Sequence, residues 1–160
     1  MNRLPFILCL LLVTGPADAA RTSVGIFSRW GAFVETDPKK CFAVVRPPAF
    51  SGPAQASPFV SVSFGGHGGE RVYARLRAAP AQGSVVLLRI DKRSLPMRAS
   101  GEGAYFEDPQ LEAAAVRMMR TGEAMAVEIR SASGRYLRDS YPLRGAASAI
   151  DAAAIACARG

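Results

Sequence analysis

The sequence predicts a mainly β fold: an antiparallel β-sandwich with a short helix near residues 109–121 and a second helix at the C-terminus. Three observations predict it. Short runs rich in β-branched and aromatic residues recur along the chain, each bounded by Gly, Pro or Ser. The two helical patterns stand at the margins and do not alternate with strands, which argues against a βαβ arrangement. About 140 residues follow an apolar N-terminal segment, enough for one core and too few for two.

That N-terminal segment, residues 1–19, has the three parts of a secretory signal: Arg3 in a basic start, an apolar run from Leu4 to Val13, and the small-residue stretch Ala17-Asp18-Ala19. A bilayer-spanning helix needs about 20 apolar residues, so this run is too short to remain as one. Cleavage is expected after Ala19, leaving residues 20–160 as a single exported domain, periplasmic or secreted, with no transmembrane segment in the mature chain. Cys9 follows Leu8, not a small residue, so it is expected to leave with the signal and does not mark a lipid anchor.

VGIFSRWGAFVE (24–35) and CFAVVR (41–46) read as strands, with the Asp-Pro of TDPKK supplying the hairpin turn between them. PPAFSGPAQASP (47–58) is an exposed loop. In FVSVSF (59–64), Val60, Val62 and Phe64 share one face and Ser61 and Ser63 the other, as a half-buried strand requires. RVYARLR (71–77) alternates likewise, with Val72, Ala74 and Leu76 inward and Arg71, Tyr73, Arg75 and Arg77 outward. The intervening GGHGGE frees the backbone to turn, so the two runs form a hairpin.

VVLLRI (85–90) is apolar on both faces and is therefore expected to be central or to lie under another layer, whereas SLPMR (94–98) contains Pro96 and is restricted to an edge. DPQLEAAAVRMMRTG (108–122) has an Asp N-cap, Pro at the first helical position and a Gly stop; Leu111, Ala115, Met118 and Met119 form its buried stripe. EAMAVEIR (123–130) returns to alternation, with Met125, Val127 and Ile129 on one face, and pairs across the SASGRY turn with YLRDSYPL (136–143). In RGAASAIDAAAIACA, three- and four-residue steps place Ala146, Ile150, Ala153 and Cys157 on one helix face. Trp30 is expected to anchor the core near the disulfide.

Two cysteines in an exported chain fit a disulfide better than a metal site or a nucleophile, so Cys41 and Cys157 are expected to be joined. The bridge would close a loop of about 115 residues, which the chain-entropy argument values at somewhat over ~4 kcal/mol before native strain is subtracted. No metal is expected, because zinc needs further ligands at close spacing and the chain has one histidine.

No catalytic residues are assigned and no cofactor is expected. GGHGGE resembles the His-Gly-Gly oxyanion loop of some esterases, but the nucleophile turn and a separate base histidine are missing, and His67 cannot serve as both. Cys41 with His67 is explained better by the disulfide, and of the carboxylates Glu107, Asp108 and Glu112, helix capping accounts for Asp108. The net charge of +7, carried mostly by arginine, suits an anionic partner or an arginine-rich composition without one. The stripe Arg71, Tyr73, Arg75 and Arg77 is the candidate binding surface, because basic residues interleaved with an aromatic grip anionic glycans or lipids. Its plainer explanation is charge that keeps an edge strand from aggregating.

Taken in order, the apolar leader, GIFSRWGAF with Trp30, KKCFAVVRP with Cys41, the β-rich middle and the closing YPLRGAASAIDAAAIACAR resemble the invasion-associated locus B family of exported proteobacterial proteins. The resemblance spans essentially the whole mature chain, with fewer cysteines and a heavier helical tail than the better-studied members. It implies an immunoglobulin-like sandwich in the periplasm or at the outer membrane, of a kind linked in some pathogens to invasion of host cells. The expected function is a non-enzymatic cell-envelope protein binding another protein or an anionic envelope component, not nucleic acid. The alternative is a periplasmic hydrolase or enzyme modulator with an unrecognised site.

Overall fold

The computed structural model describes residues 21–53, 56–65 and 69–159; the expected signal segment and His67 lie outside them. Ten strands and two helices follow in the order β1 (Arg21–Phe27), β2 (Trp30–Thr36), β3 (Lys39–Val45), β4 (Phe59–Phe64), β5 (Arg71–Arg75), β6 (Val86–Ile90), β7 (Arg93–Ser100), β8 (Gly103–Tyr105), α1 (Pro109–Thr121), β9 (Ala124–Arg130), β10 (Tyr136–Pro142) and α2 (Ala146–Ala158). All pairings are antiparallel. They give one sheet in the order β1-β2-β3-β4-β5-β8-β7-β6-β9-β10, open at β1 and β10, in place of two separate sheets.

The run read as one strand over 24–35 is two. The chain reverses at Ser28, whose φ of 59° is left-handed, and Phe27 pairs back on Trp30. The Asp37-Pro38 turn sets the next hairpin, in which Trp30 faces Val45 and Val34 faces Cys41. Gly103–Tyr105 adds a short strand that the sequence pattern did not isolate.

β7 joins the two halves of the sheet, and this explains Pro96. The strand lies inside the sheet order, not at an edge. Yet Pro96 pairs with Leu87 of β6 alone, since β8 begins to pair with β7 only at Arg98. The missing N–H therefore falls where one side of the strand has no partner.

The core is continuous across both halves. β2 to β5 contribute Trp30, Ala32, Val45, Val60, Val62 and Val72, while β6 and β9 contribute Val86, Leu88, Ile90, Met125 and Val127, all buried. α2 covers the inner face of β1 to β4 with Ala146, Ala149, Ile150 and Ala153, whose small side chains allow close approach. α1 begins at the Asp108 cap, whose carboxylate accepts from Gln110 N at 2.8 Å. Its buried residues are Glu112, Ala115, Val116 and Met119; Leu111 and Met118 are half-buried against the core.

Three long-range contacts tie the ends of the sheet to that core. The Trp30 indole donates to Pro142 O at 2.9 Å. Gly145, at φ 91°, lies against Phe27 O so closely that any Cβ would collide with it. The disulfide Cys41–Cys157, with Cα atoms 5.6 Å apart, fixes the end of α2 to β3. Trp30 and Cys41 share a face but stand four ladder positions apart, roughly 13 Å along the strands, so the tryptophan anchors the core away from the bridge. Among the described residues no helix is long and apolar enough to cross a membrane.

Candidate functional site

The outer face of β1 to β5 presents aromatic rings among cations. Because Cys41, Ala43 and Val45 point inward, the period of two sends Phe42 and Val44 outward. The register then brings Phe33 opposite Phe42, Ser63 beside Phe42 on the next strand, and Tyr73 beside Ser61. Phe33 and Phe42 stack with centroids 5.7 Å apart, and Phe59 and Tyr73 meet at 5.9 Å.

Two glycines let these rings lie down on the sheet. A Cβ at Gly31 would fall 2.5 Å from the Phe33 ring, and one at Gly103 would fall 2.6 Å from Tyr73 Oη. The rings therefore occupy space that a side chain would otherwise fill.

A groove of about 820 Å³ runs over this floor, lined by the four rings and by Arg21, Arg29, Lys40, Arg46 and Glu35. Four cations and one carboxylate give the lining a net charge of +3. Arg21 spends its charge locally: its Nε reaches Glu35 Oε1 at 3.0 Å and its guanidinium stacks on Phe42 at 5.2 Å. Arg29, Lys40 and Arg46 make no ion pair among the described residues.

The four residues singled out from sequence separate. Tyr73, 40% exposed, belongs to the aromatic floor, and Arg75 stands beside Phe59 in register without an ion pair among the described residues. Arg71 turns to Glu112, with Nε 3.4 Å from Oε2. Arg77 lies beyond the end of β5, where its Nε bonds Asp139 of β10 at 3.0 Å and its guanidinium sits 5.9 Å from the Phe50 ring. The hydrogen bond to Asp139 raises its pKa further despite partial burial. β5 is flanked by β4 and, from Tyr73 onward, by β8, so it is not an edge strand of the sheet.

Other candidate groups have structural occupations. Glu112, on the buried face of α1, accepts from Val72 N at 2.8 Å, supplying the acceptor that β8 does not reach far enough to provide. Glu107 pairs with Arg98 at 3.4 Å, and Cys41 is in the disulfide. On the second half of the sheet, Glu128 is buried between Arg89, at 3.1 Å, and Arg138. Burial pushes its carboxyl up, but hydrogen bonds from Tyr136 and Arg89 and the charges of Arg89 and Arg138 prevail, leaving it below the ordinary carboxylate value. Tyr141 is buried and its hydroxyl has no hydrogen-bond partner among the described residues; desolvation followed by the Asp139 charge raises its pKa strongly. Among the described residues no group of three or more metal-ligating side chains gathers.

No protein-family model matches the chain, and no curated protein sequence matches it. Among solved structures it is similar to invasion associated protein B from Bartonella henselae, with a TM-score of 0.65 and 15% identity over 87% of this chain and 99% of that one. At that identity the likeness is one of fold: a β-rich domain like that of invasion associated protein B.

Proposed function

We propose that this chain is an exported, non-enzymatic cell-envelope protein whose β1 to β5 face binds an anionic component of the envelope. The observation that carries the reading is the pairing of half-exposed rings with Arg29, Lys40 and Arg46, cations that make no ion pair among the described residues. Cations in ion pairs add little to binding an outside anion, whereas unpaired ones bordering a low-dielectric floor concentrate the field in the groove. Export is supported by the N-terminal segment and by a disulfide, which persists in oxidising compartments. A reading of the fold as an immunoglobulin-like sandwich is supported by the single core and by the Arg77–Asp139 and Trp30–Pro142 links between the sheet's halves.

The test is retention on isolated bacterial envelopes. The oxidised mature protein should sediment with them at low salt and be released as ionic strength rises past the screening range. The variant carrying Arg29→Ser, Lys40→Ser and Arg46→Ser should stay in solution while keeping its circular dichroism. Equal retention of the variant removes this face from the function, and recovery of the native protein in the cytoplasm removes the export reading.

A further inference from the structure

From the spacing of charge and rings along β3 we infer that the ligand is an extended acidic glycan lying in the groove over Phe42 and Val44. The inference rests on the anionic-component reading and names its chemical class. Lys40 stands at one end of the groove and Arg46, with Arg29 nearby, at the other. Arg46 is six residue steps from Lys40 along one extended chain, which at about 3.3 Å per step is roughly 20 Å. Between them the register sets Phe42 with its partner Phe33, then Val44 with Ser61 and, one strand further, Tyr73, whose ring meets that of Phe59 at the level of Arg46.

A ligand complementary to this order has anionic groups well apart and apolar faces between them. A chain of sugar rings bearing carboxylates or phosphates fits, since each ring offers a C–H face to an aromatic and hydroxyl edges to Ser61 and Ser63. A single-headed lipid would use one cation cluster, and its acyl chain would need a closed apolar channel. This floor is open, carries two serines and Glu35, and has cations at both ends. A single-stranded nucleic acid is the other ring-bearing polyanion; it stacks bases on aromatics and tracks a basic groove, so the test must separate it.

Calorimetric titration of the oxidised mature protein at low salt provides that separation, with four probes: oligogalacturonate, a neutral dextran oligosaccharide, a single-stranded DNA oligonucleotide of matched charge, and vesicles of phosphatidylglycerol in phosphatidylcholine. The inference expects binding to oligogalacturonate and none to dextran. It expects affinity to fall roughly tenfold or more in Lys40→Ser/Arg46→Ser and, independently, in Tyr73→Ala, an exposed ring whose removal leaves the core untouched. Phe59→Ala provides a second ring variant should Tyr73→Ala lose native circular dichroism. Unchanged affinity in the ring variants means charge alone binds and overturns the groove. Vesicle binding without oligogalacturonate binding overturns the glycan and leaves the anionic-component reading standing. Tighter binding of DNA than of oligogalacturonate overturns the ligand class, and no binding to any anionic probe overturns both readings.

Discussion

Val72 N–H sits one residue before β8 begins to pair with β5, and the Glu112 carboxylate takes the position that a neighbouring strand's carbonyl would hold. A buried donor without an acceptor costs about 1–3 kcal/mol. Glu112→Ala should therefore lower the unfolding free energy by about that much in urea titration, while Glu112→Gln, which keeps a carbonyl oxygen at the site, should lose under about 1 kcal/mol. Arg71 adds little to either figure, because it is more than half exposed and screened. Equal losses in the two variants would mean that the charge, and not the hydrogen bond, is what the site requires. Glu128 differs in that its charge is what matters: its carboxyl is held below the ordinary value of 4.5. A depressed carboxyl stabilises the fold fully above its unfolded pKa and loses that contribution as pH falls through the folded one, because the unfolded state binds the proton first. The stability gap between the native protein and Glu128→Gln should be flat above about pH 4.5 and close below it. A gap independent of pH from 7 down to 3 would contradict this.

At the scale of strands and helices, legibility follows turn chemistry. Asp37-Pro38 marks a two-residue turn, and from it alone the register Thr36↔Lys39 runs on to Phe33↔Phe42 and Trp30↔Val45. With Cys41 committed inward by its bridge, parity then fixes Phe42, Val44 and Arg46 on the opposite face, so half of the candidate groove is legible in KKCFAVVR itself. The β1–β2 turn is hidden because it contains neither Gly nor Pro: Ser28 adopts a positive φ, and the close approach of Phe27 O to Gly145 belongs to tertiary packing. β8 is hidden because three residues show no period. Arg77 reads as outward from an alternation that stops at Arg75, and its real direction is set by Asp139, 62 residues away. Glu112 stands outside the apolar stripe read from the helix pattern, and only the incomplete pairing of β5 gives it a buried role. Local pattern thus predicts faces within a strand, while ion pairs and strand ends depend on what packs against them.

For the molecule as a whole, the question is what holds an open sheet of ten strands together. Among the described residues the edge strands β1 and β10 do not pair with each other, and α2, packed on β1 to β4, is the last described element. Left to packing alone, a helix whose buried face is mostly alanine gains little from burial per residue and would fray from its end. The Cys41–Cys157 bridge opposes this by closing a loop with a sequence separation of 116, and Lys39 Nζ adds a hydrogen bond to Cys157 O at 3.0 Å. Constraint of the unfolded chain over so long a loop reaches about 4–5 kcal/mol in the entropy argument, and native disulfides lost from small domains cost about 2–5 kcal/mol. The double variant Cys41→Ala/Cys157→Ala should therefore unfold at a markedly lower urea midpoint than the oxidised native protein, and the native protein under reductant should approach the variant. Hydrogen exchange locates the effect. If the bridge acts through the unfolded chain, amide protection in the strands and in α2 should fall together by the same free energy. If it acts by holding α2 down, α2 alone should lose protection. An oxidised protein no more stable than its reduced form would show that alanine packing suffices, and the staple would then have no part in holding the fold.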